Sequence, residues 1–245
     1  MSVITSHRNQ EFKTLLAAKK DRGMMLLEGR RLVENALSRG MVPCHAAVTP
    51  EYVLARGRAG FPHTVLSEEL LARIADTRTP QGILAFFPAP WAGDEDLARC
   101  ERIIILDGLQ DPGNVGTIIR TAEAFGFDAV AVTQGTASPF SAKAVRSSMG
   151  SVLGVTIVRR QPAELAALPH RMIILAPRGT MKLRAELFRS PCAICLGQEG
   201  AGVSPEMLAL SHETVSIPMK GNVESLNVAV TAGIVLACAG GVLEG

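Results

Sequence analysis

Three short stretches of this 245-residue chain combine residue types that could grip an anion and position a hydroxyl. The first, Leu106-Asp-Gly-Leu-Gln-Asp-Pro-Gly-Asn114-Val-Gly116-Thr-Ile-Ile-Arg120, runs from an apolar segment through a Gly/Pro turn into a helical pattern. Free backbone N–H groups at a helix start favour an anion such as phosphate, and Asn114 sits near such a start. Arg120, six residues on, carries a planar fork that matches phosphate or carboxylate with two parallel hydrogen bonds. A plainer reading makes Asn114 a helix cap and Arg120 a solvated surface residue, and this stretch alone leaves both open. The second stretch is Leu196-Gly197-Gln-Glu199-Gly200-Ala-Gly202-Val-Ser204-Pro205. Its glycines let backbone approach a ligand closely, while Ser204 and Pro205 read as the cap and first residue of a helix. Glu199 either orients a ligand or anchors the loop by accepting backbone hydrogen bonds. The third, Ile217-Pro218-Met219-Lys-Gly221-Asn-Val-Glu-Ser225-Leu226-Asn227, leads into an apolar helix. Ser225 and Asn227 either cap that helix or line a cavity with small polar groups.

The elements that must position these loops fall into two halves. Pro88-Ala-Pro90-Trp-Ala-Gly93-Asp-Glu-Asp96 interrupts the apolar periodicity on both sides, which predicts a domain over 1–88, a linker over 89–100 and a second domain over 101–245. In the first, Asn9–Lys20 and Arg30–Ser38 read as helices and Met24–Leu27, Ala46–Val48 and Gly82–Phe87 as short strands, a small α/β unit. In the second, Ile103–Leu106, Ala129–Val132, Val155–Val158, Met172–Ala176, Ala193–Leu196 and Val215–Ile217 are continuous apolar runs separated by helix-length segments. Such runs suit buried parallel strands, so the expected class is α/β with a parallel sheet. Helix Val115–Phe125 keeps Val115, Ile118, Ile119 and Ala122 on one stripe and leaves Arg120 on another face; Leu226–Ala239 is apolar nearly all round and should be buried. In open parallel sheets ligands collect beyond the carboxyl ends of the strands, where all three loops fall.

Composition narrows the function classes. The chain is 47% hydrophobic and 20% charged with a net charge of +2, an ordinary mixed composition for a packed protein. No apolar run reaches the roughly 20 residues of a membrane helix, so no membrane partner is expected, and the first residues lack the apolar core of a secretory signal. Five scattered cysteines suit a reducing cytoplasm. Residues 1–40 hold eight Lys/Arg against four Asp/Glu, whereas 101–245 hold twelve of each. The basic bias is therefore at the front, while a single Trp91 and a single Tyr52 make no stacking platform of the single-strand-binder kind. RNA contact would be electrostatic and shape-based, with Arg8, Lys13 and Arg30 as candidates. Cys192-Ala-Ile-Cys195 has the spacing of a zinc or redox pair, but no second pair or nearby histidine completes four ligands, and His7, His45, His63, His170 and His212 form no metal spacing. No metal is required. The glycine order G-x-x-G-x-G is not the G-x-G-x-x-G dinucleotide fingerprint, which disfavours a nicotinamide-dependent dehydrogenase.

Taken together, the three loops resemble, in order and spacing, the three motifs of the SPOUT class of RNA methyltransferases. The resemblance is to the TrmH/SpoU family of ribose 2′-O-methyltransferases and runs from about residue 5 to 240. Asn9, Lys13, the Glu28-Gly29-Arg30-Arg31-Leu32-Val33 run and Thr79-Pro80-Gln81-Gly82 look like the substrate-binding domain of rRNA-directed members. The resemblance implies a trefoil-knotted parallel-sheet domain that periodicity would never suggest. It implies S-adenosylmethionine held by Leu196, Gly197, Gly200, Ile217, Met219 and Leu226, with Asn114 and Arg120 as a catalytic pair. Glu199, Ser225 and Asn227 would complete the site. Ser138-Pro-Phe-Ser-Ala-Lys143-Ala-Val-Arg146 resembles a segment lining the substrate side, where Lys143 and Arg146 either bind phosphate or face solvent. The implied partners are RNA, 23S ribosomal RNA before tRNA, and a second copy of the chain packed through the knotted region. A non-catalytic RNA-binding or ribosome-assembly protein would share the fold but has no need of the Asn114, Arg120, Glu199, Ser225 and Asn227 set.

Overall fold

The computed structural model describes residues 2–57, 60–189, 191–221 and 223–242. The chain forms two compact units, Met1–Ala89 with Phe140–Val145, and Pro90–Pro139 with Arg146–Gly245.

In the first unit, helix α1 (Gln10–Lys20) is capped by Asn9, whose side chain accepts from the Glu11 N–H. Strand β1 (Met24–Glu28), helix α2 (Arg30–Ser38), strand β2 (His45–Val48), helix α3 (Pro50–Arg56), strand β3 (Thr64–Val65), helix α4 (Glu68–Ile74) and strand β4 (Ile83–Pro88) follow. The sheet order is β1-β4-β2-β3, with β4 antiparallel to both its neighbours and β2 parallel to β3. Phe12, Leu15, Leu70, Leu71, Ile74 and Phe86 fill its core.

The second unit begins with helix α5 (Asp94–Ala98), inside the stretch expected to be linker. The correction has a packing reason: Leu97 and Cys100 are buried in the core of this unit, so its acidic, proline-flanked sequence marks a helix start. Strand β5 (Arg102–Leu106), helix α6 (Pro112–Ala124) and strand β6 (Ala129–Val132) come next; helix α7 (Ala142–Ser148) spans the sequence boundary between the units. Strand β7 (Thr156–Arg159), helix α8 (Pro162–Leu165), strands β8 (Arg171–Leu175), β9 (Met181–Lys182) and β10 (Cys192–Leu196), helix α9 (Pro205–Leu208), strand β11 (Glu213–Ser216) and helix α10 (Val228–Ala239) complete it. All seven strands are parallel, in the order β7-β6-β5-β10-β8-β11-β9. Every residue of β6 and β10 is buried, as expected of strands covered on both faces.

Register explains why distant loops meet. Strand β10 lies directly on β5 with Leu196 opposite Leu106, so the chain leaves both strands side by side at the same sheet end. Cys192 and Cys195, three apart on β10, fall on opposite faces because side chains alternate. Both are buried, and Cys195 packs with Ile105, Ile174 and Ala193. They are structural apolar residues, as burial pushes both thiols up from their ordinary 9.0, Cys195 well above it.

Candidate functional site

Helix α6 starts earlier than the sequence pattern suggests. Asp111 is its cap, accepting from the Gly113 N–H at 2.7 Å, and Pro112 is its first residue. Asn114 is thereby in the third helical position and its side chain is released from capping duty. Its Nδ2 donates to Glu199 Oε1 at 2.7 Å.

Glu199 Oε1 is the hub of the site. Besides Asn114 it accepts from Asn227 Nδ2 at 3.0 Å and from the Val228 backbone N–H at 3.4 Å. Of the two roles the sequence left open, Asn227 takes the cap: its Oδ1 accepts from Ala229 and Val230 N–H at 2.9 and 3.3 Å, while its Nδ2 turns to Glu199. A carboxylate beside the first amides of α10 is also favoured by the helix dipole, by about 0.3–1 kcal/mol. Asn227 Nδ2 reaches Asn114 Oδ1 only at 3.5 Å, which leaves that oxygen largely available as an acceptor. A cavity of about 220 Å³ lies alongside, lined by Gln110, Asp111, Asn114, Gln198, Glu199 and Val228 among others.

Glu199 is held where it is by its own loop and by a residue that pattern reading missed. Gln198 and Gly202 exchange two backbone hydrogen bonds, 2.8 and 3.0 Å, closing the loop on itself. Only glycine fits at 197, because a Cβ there would sit 2.2 Å from the Gly202 carbonyl carbon. Asp107, 5% exposed at the end of β5, accepts from Thr133 Oγ1 and from the Ser204 N–H, each at 2.7 Å. It therefore ties the β5 loop, the end of β6 and the glycine loop together. The signal for Asp107 was in the sequence: a lone acid directly after Ile-Ile-Ile-Leu, in a position that burial makes costly unless both oxygens are satisfied.

The remaining candidates are placed differently. Arg120 is exposed on α6, six residues or about 9 Å of helix rise beyond Asn114, and takes no part in the Glu199 cluster. Ser225 is exposed two residues before the α10 cap. Leu196 is 1% exposed at the end of β10; Ile217 and Leu226 are half-buried, Met219 is 36% exposed, and Gly200 has φ +98° with nothing within 4 Å of where a Cβ would stand. In the first unit Arg8 and Lys13 are exposed, and Arg30, also exposed, forms an ion pair with Glu34 one turn along α2. Lys143 is exposed and Arg146 half-buried on α7. Among the described residues no group of three or more His, Cys, Asp or Glu side chains is arranged to hold a metal ion, and no helix is long and apolar enough to cross a membrane.

Comparison with known proteins bears on both units. Residues 11–85 match the MRM3-like substrate binding domain and residues 101–237 the SpoU rRNA Methylase family. The chain is 36% identical over 96% of its length to the 23S rRNA (guanosine(2553)-2′-O)-methyltransferase RlmP of Bacillus subtilis, covering 98% of that protein. Among solved structures it resembles an AdoMet-bound rRNA methyltransferase from Sinorhizobium meliloti, with TM-score 0.85, 26% identity and 100% and 99% of the two chains covered. It also resembles the SpoU methyltransferase AviRb of Streptomyces viridochromogenes in complex with AdoMet, with TM-score 0.81, 26% identity and 95% and 98% covered. With its three loops gathered at one end of a parallel sheet and a family match covering more than half its length, the chain belongs to the SpoU rRNA methylase family.

Proposed function

We infer that the Asn114–Glu199–Asn227 cluster is the reaction centre of an RNA ribose methyltransferase whose substrate is 23S ribosomal RNA. The protein is an S-adenosylmethionine-dependent RNA 2′-O-methyltransferase. The observation that carries the site assignment is the three-donor hub on Glu199, which joins all three sequence motifs through two side chains and one backbone amide.

The residues present fit the methyl donor. Gly200 and Gly202 both have positive φ with open space where a Cβ would stand, so the loop offers bare backbone to an adenosine group. Leu196, Ile217, Met219 and Leu226 supply apolar wall beside it, and Glu199 supplies negative charge suited to a sulfonium. When bound, S-adenosylmethionine supplies a methyl group on a positively charged sulfur, an electrophile that needs little activation.

The protein's task is then to hold a ribose 2′-hydroxyl in line and let its proton leave. Asn114 Oδ1 is the acceptor offered to that hydroxyl, and Glu199 fixes the amide so that the oxygen, and not the NH2, points to it. Holding reactants in line accounts for roughly 7–11 kcal/mol of barrier lowering in favourable cases. Arg120 grips the neighbouring phosphate and stabilises the developing alkoxide, with a phosphate oxygen or water taking the proton, since a guanidinium keeps its own. Ser225 completes the rim. In the first unit, residues 1–88, Arg8, Lys13 and Arg30 contact RNA, as do Lys143 and Arg146 on α7. The 101–245 domain is knotted, acts in the cytoplasm and pairs with a second copy through α10. The RNA contacts of the first unit are supported by the match of residues 11–85 to a substrate-binding domain, the knot by the match of residues 101–237 to the SpoU rRNA methylase family, and the pairing by the exposed apolar Val230 on α10.

The test is nucleoside mass spectrometry of unmodified ribosomal RNA and tRNA after incubation with the protein and S-adenosylmethionine. A 2′-O-methylated nucleoside from 23S rRNA, absent with Asn114→Ala and Arg120→Ala, is the expected result. Methylation of tRNA alone would overturn the substrate, and no product from any RNA the reaction.

A further inference from the structure

The seven-stranded sheet ends at β9, and the chain around it carries charge that neither the site nor the fold uses. Residues 176–189 contain Arg178, Lys182, Arg184 and Arg189 against the single acid Glu186. Arg178, Lys182 and Arg184 are exposed, and among the described residues no ion pair engages any of them. Among the described residues the Lys182 ammonium donates to the Ser216 hydroxyl, at 3.4 Å. Lys220, also exposed, lies four residues beyond Ser216 on the loop that supplies Met219.

A lysine on an edge strand commonly guards against sheet-to-sheet pairing. That accounts for Lys182 but not for Arg178 and Arg184, which stand off the two-residue strand on either side of it. Nor is this a loose loop whose charges are incidental. Gly179 is pressed on β11 so closely that a Cβ would lie 2.4 Å from the Val215 carbonyl carbon. Thr180 donates from its backbone to Thr214 Oγ1 at 3.1 Å and from its hydroxyl to Thr214 O at 3.2 Å, and the Leu183 N–H donates to Ser216 O at 3.0 Å. The backbone carrying these three cations, which make no ion pair among the described residues, is thus held against three consecutive residues of β11, Thr214, Val215 and Ser216, the strand whose continuation is the Ile217–Met219 wall. Cations held in place on a rigid rim lose less freedom on binding an anion than cations on a flexible one, and arginine forks match phosphate geometry.

We propose that Arg178, Lys182 and Arg184 form a rail for the phosphate backbone of the RNA, on the catalytic unit itself. The proposal rests on RNA being the substrate. The rail deepens that reading by giving the second unit an RNA surface of its own, where the balanced charge of residues 101–245 hid one.

The test compares the full-length protein with Arg178→Gln/Lys182→Gln/Arg184→Gln for binding to an unmodified 23S rRNA transcript across a salt series, with S-adenosylmethionine binding followed by calorimetry. Each phosphate contact contributes about 0.7 to 0.9 to the slope of log K against log salt. The triple variant should therefore bind at least tenfold more weakly near 0.1 M salt, with a slope shallower by about 2, and with donor affinity unchanged. A charge-preserving Arg178→Lys/Arg184→Lys variant should keep the wild-type slope. Equal slopes for wild type and the Gln variant overturn the rail while leaving the RNA reading intact; a Lys variant with a slope as shallow as the Gln variant's overturns it too, because the charge it preserves is then not what the RNA reads. Wild-type protein that neither binds nor methylates RNA overturns both.

Discussion

One oxygen of Glu199 accepts from two asparagine side chains and a backbone amide, and an atom so occupied is poorly placed to carry a proton as well. If Glu199 acts by holding Asn114 and Asn227, Glu199→Gln keeps an acceptor oxygen and should retain kcat to within about tenfold. Glu199→Ala frees both amides and should cost a hundredfold or more, since hydrogen bonds to a charged group contribute about 1.5–3 kcal/mol each. Single-turnover rates with saturating donor separate the two, and equal losses would reassign Glu199 as a base. Arg120 calls for a different substitution. Arg120→Lys retains charge but loses the planar fork, so a loss of roughly a hundredfold supports a two-point phosphate clamp, and a variant that keeps most of its rate removes it. Asp107 acts at one remove, through the Ser204 N–H and Thr133 hydroxyl. Asp107→Ala leaves both donors unsatisfied in a buried place, costing about 1–3 kcal/mol per donor; thermal unfolding should register it as a drop of several degrees.

At the scale of elements, the glycine loop is the piece least able to change. Gly197→Ala would drive a methyl into the Gly202 backbone, whereas Gly200→Ala meets no atom and pays only for a left-handed conformation, about 1–2 kcal/mol. The first should weaken donor binding by at least tenfold in calorimetry and the second by far less; the reverse order would mean the loop opens in solution. The same contrast explains what could be read from the chain beforehand. The β-branched runs Ile103–Leu106 and Ala129–Val132 announce buried parallel strands because burial on both faces leaves no alternation to misread. Two-residue strands β3 and β9 carry no period at all and exist only because β2 and β11 offer an edge. Helix α5 hid in Pro/Gly-rich sequence, and α6 began at a proline that punctuates a turn as readily as it opens a helix. Asn114, Glu199 and Asn227 were legible as residue types at helix and loop starts. That they meet on one oxygen depends on β10 pairing with β5, a long-range register that no local pattern encodes.

The whole molecule holds two separate cores, and its cysteines divide unequally between them. Cys100, Cys192 and Cys195 are buried in the second unit, while the first has only the exposed Cys44. Helix α10, apolar nearly throughout, packs on α6 and on the turn at Ala185–Phe188 but leaves Val230 51% exposed. If that face pairs with a second copy, Val230→Glu should convert a dimer into a monomer in sedimentation; an unchanged mass would move the interface elsewhere. The thiols give an independent handle on the second unit. Burial raises all three above their ordinary 9.0, chiefly by desolvation. A raised native value means the unfolded chain loses these protons first as pH rises, so the stability they lend is fully present below pH 9 and drains away above it. Each thiol contributes a slope of at most about 1.4 kcal/mol per pH unit, and three acting together are enough to matter against a marginal stability. Calorimetric scans at pH 7.5 and 10 should therefore show the transition of the second unit falling while that of the first holds, and Cys195→Ala should flatten the fall. A parallel decline in both units, unaffected by Cys195→Ala, would assign the alkaline loss to surface charge and not to the buried thiols.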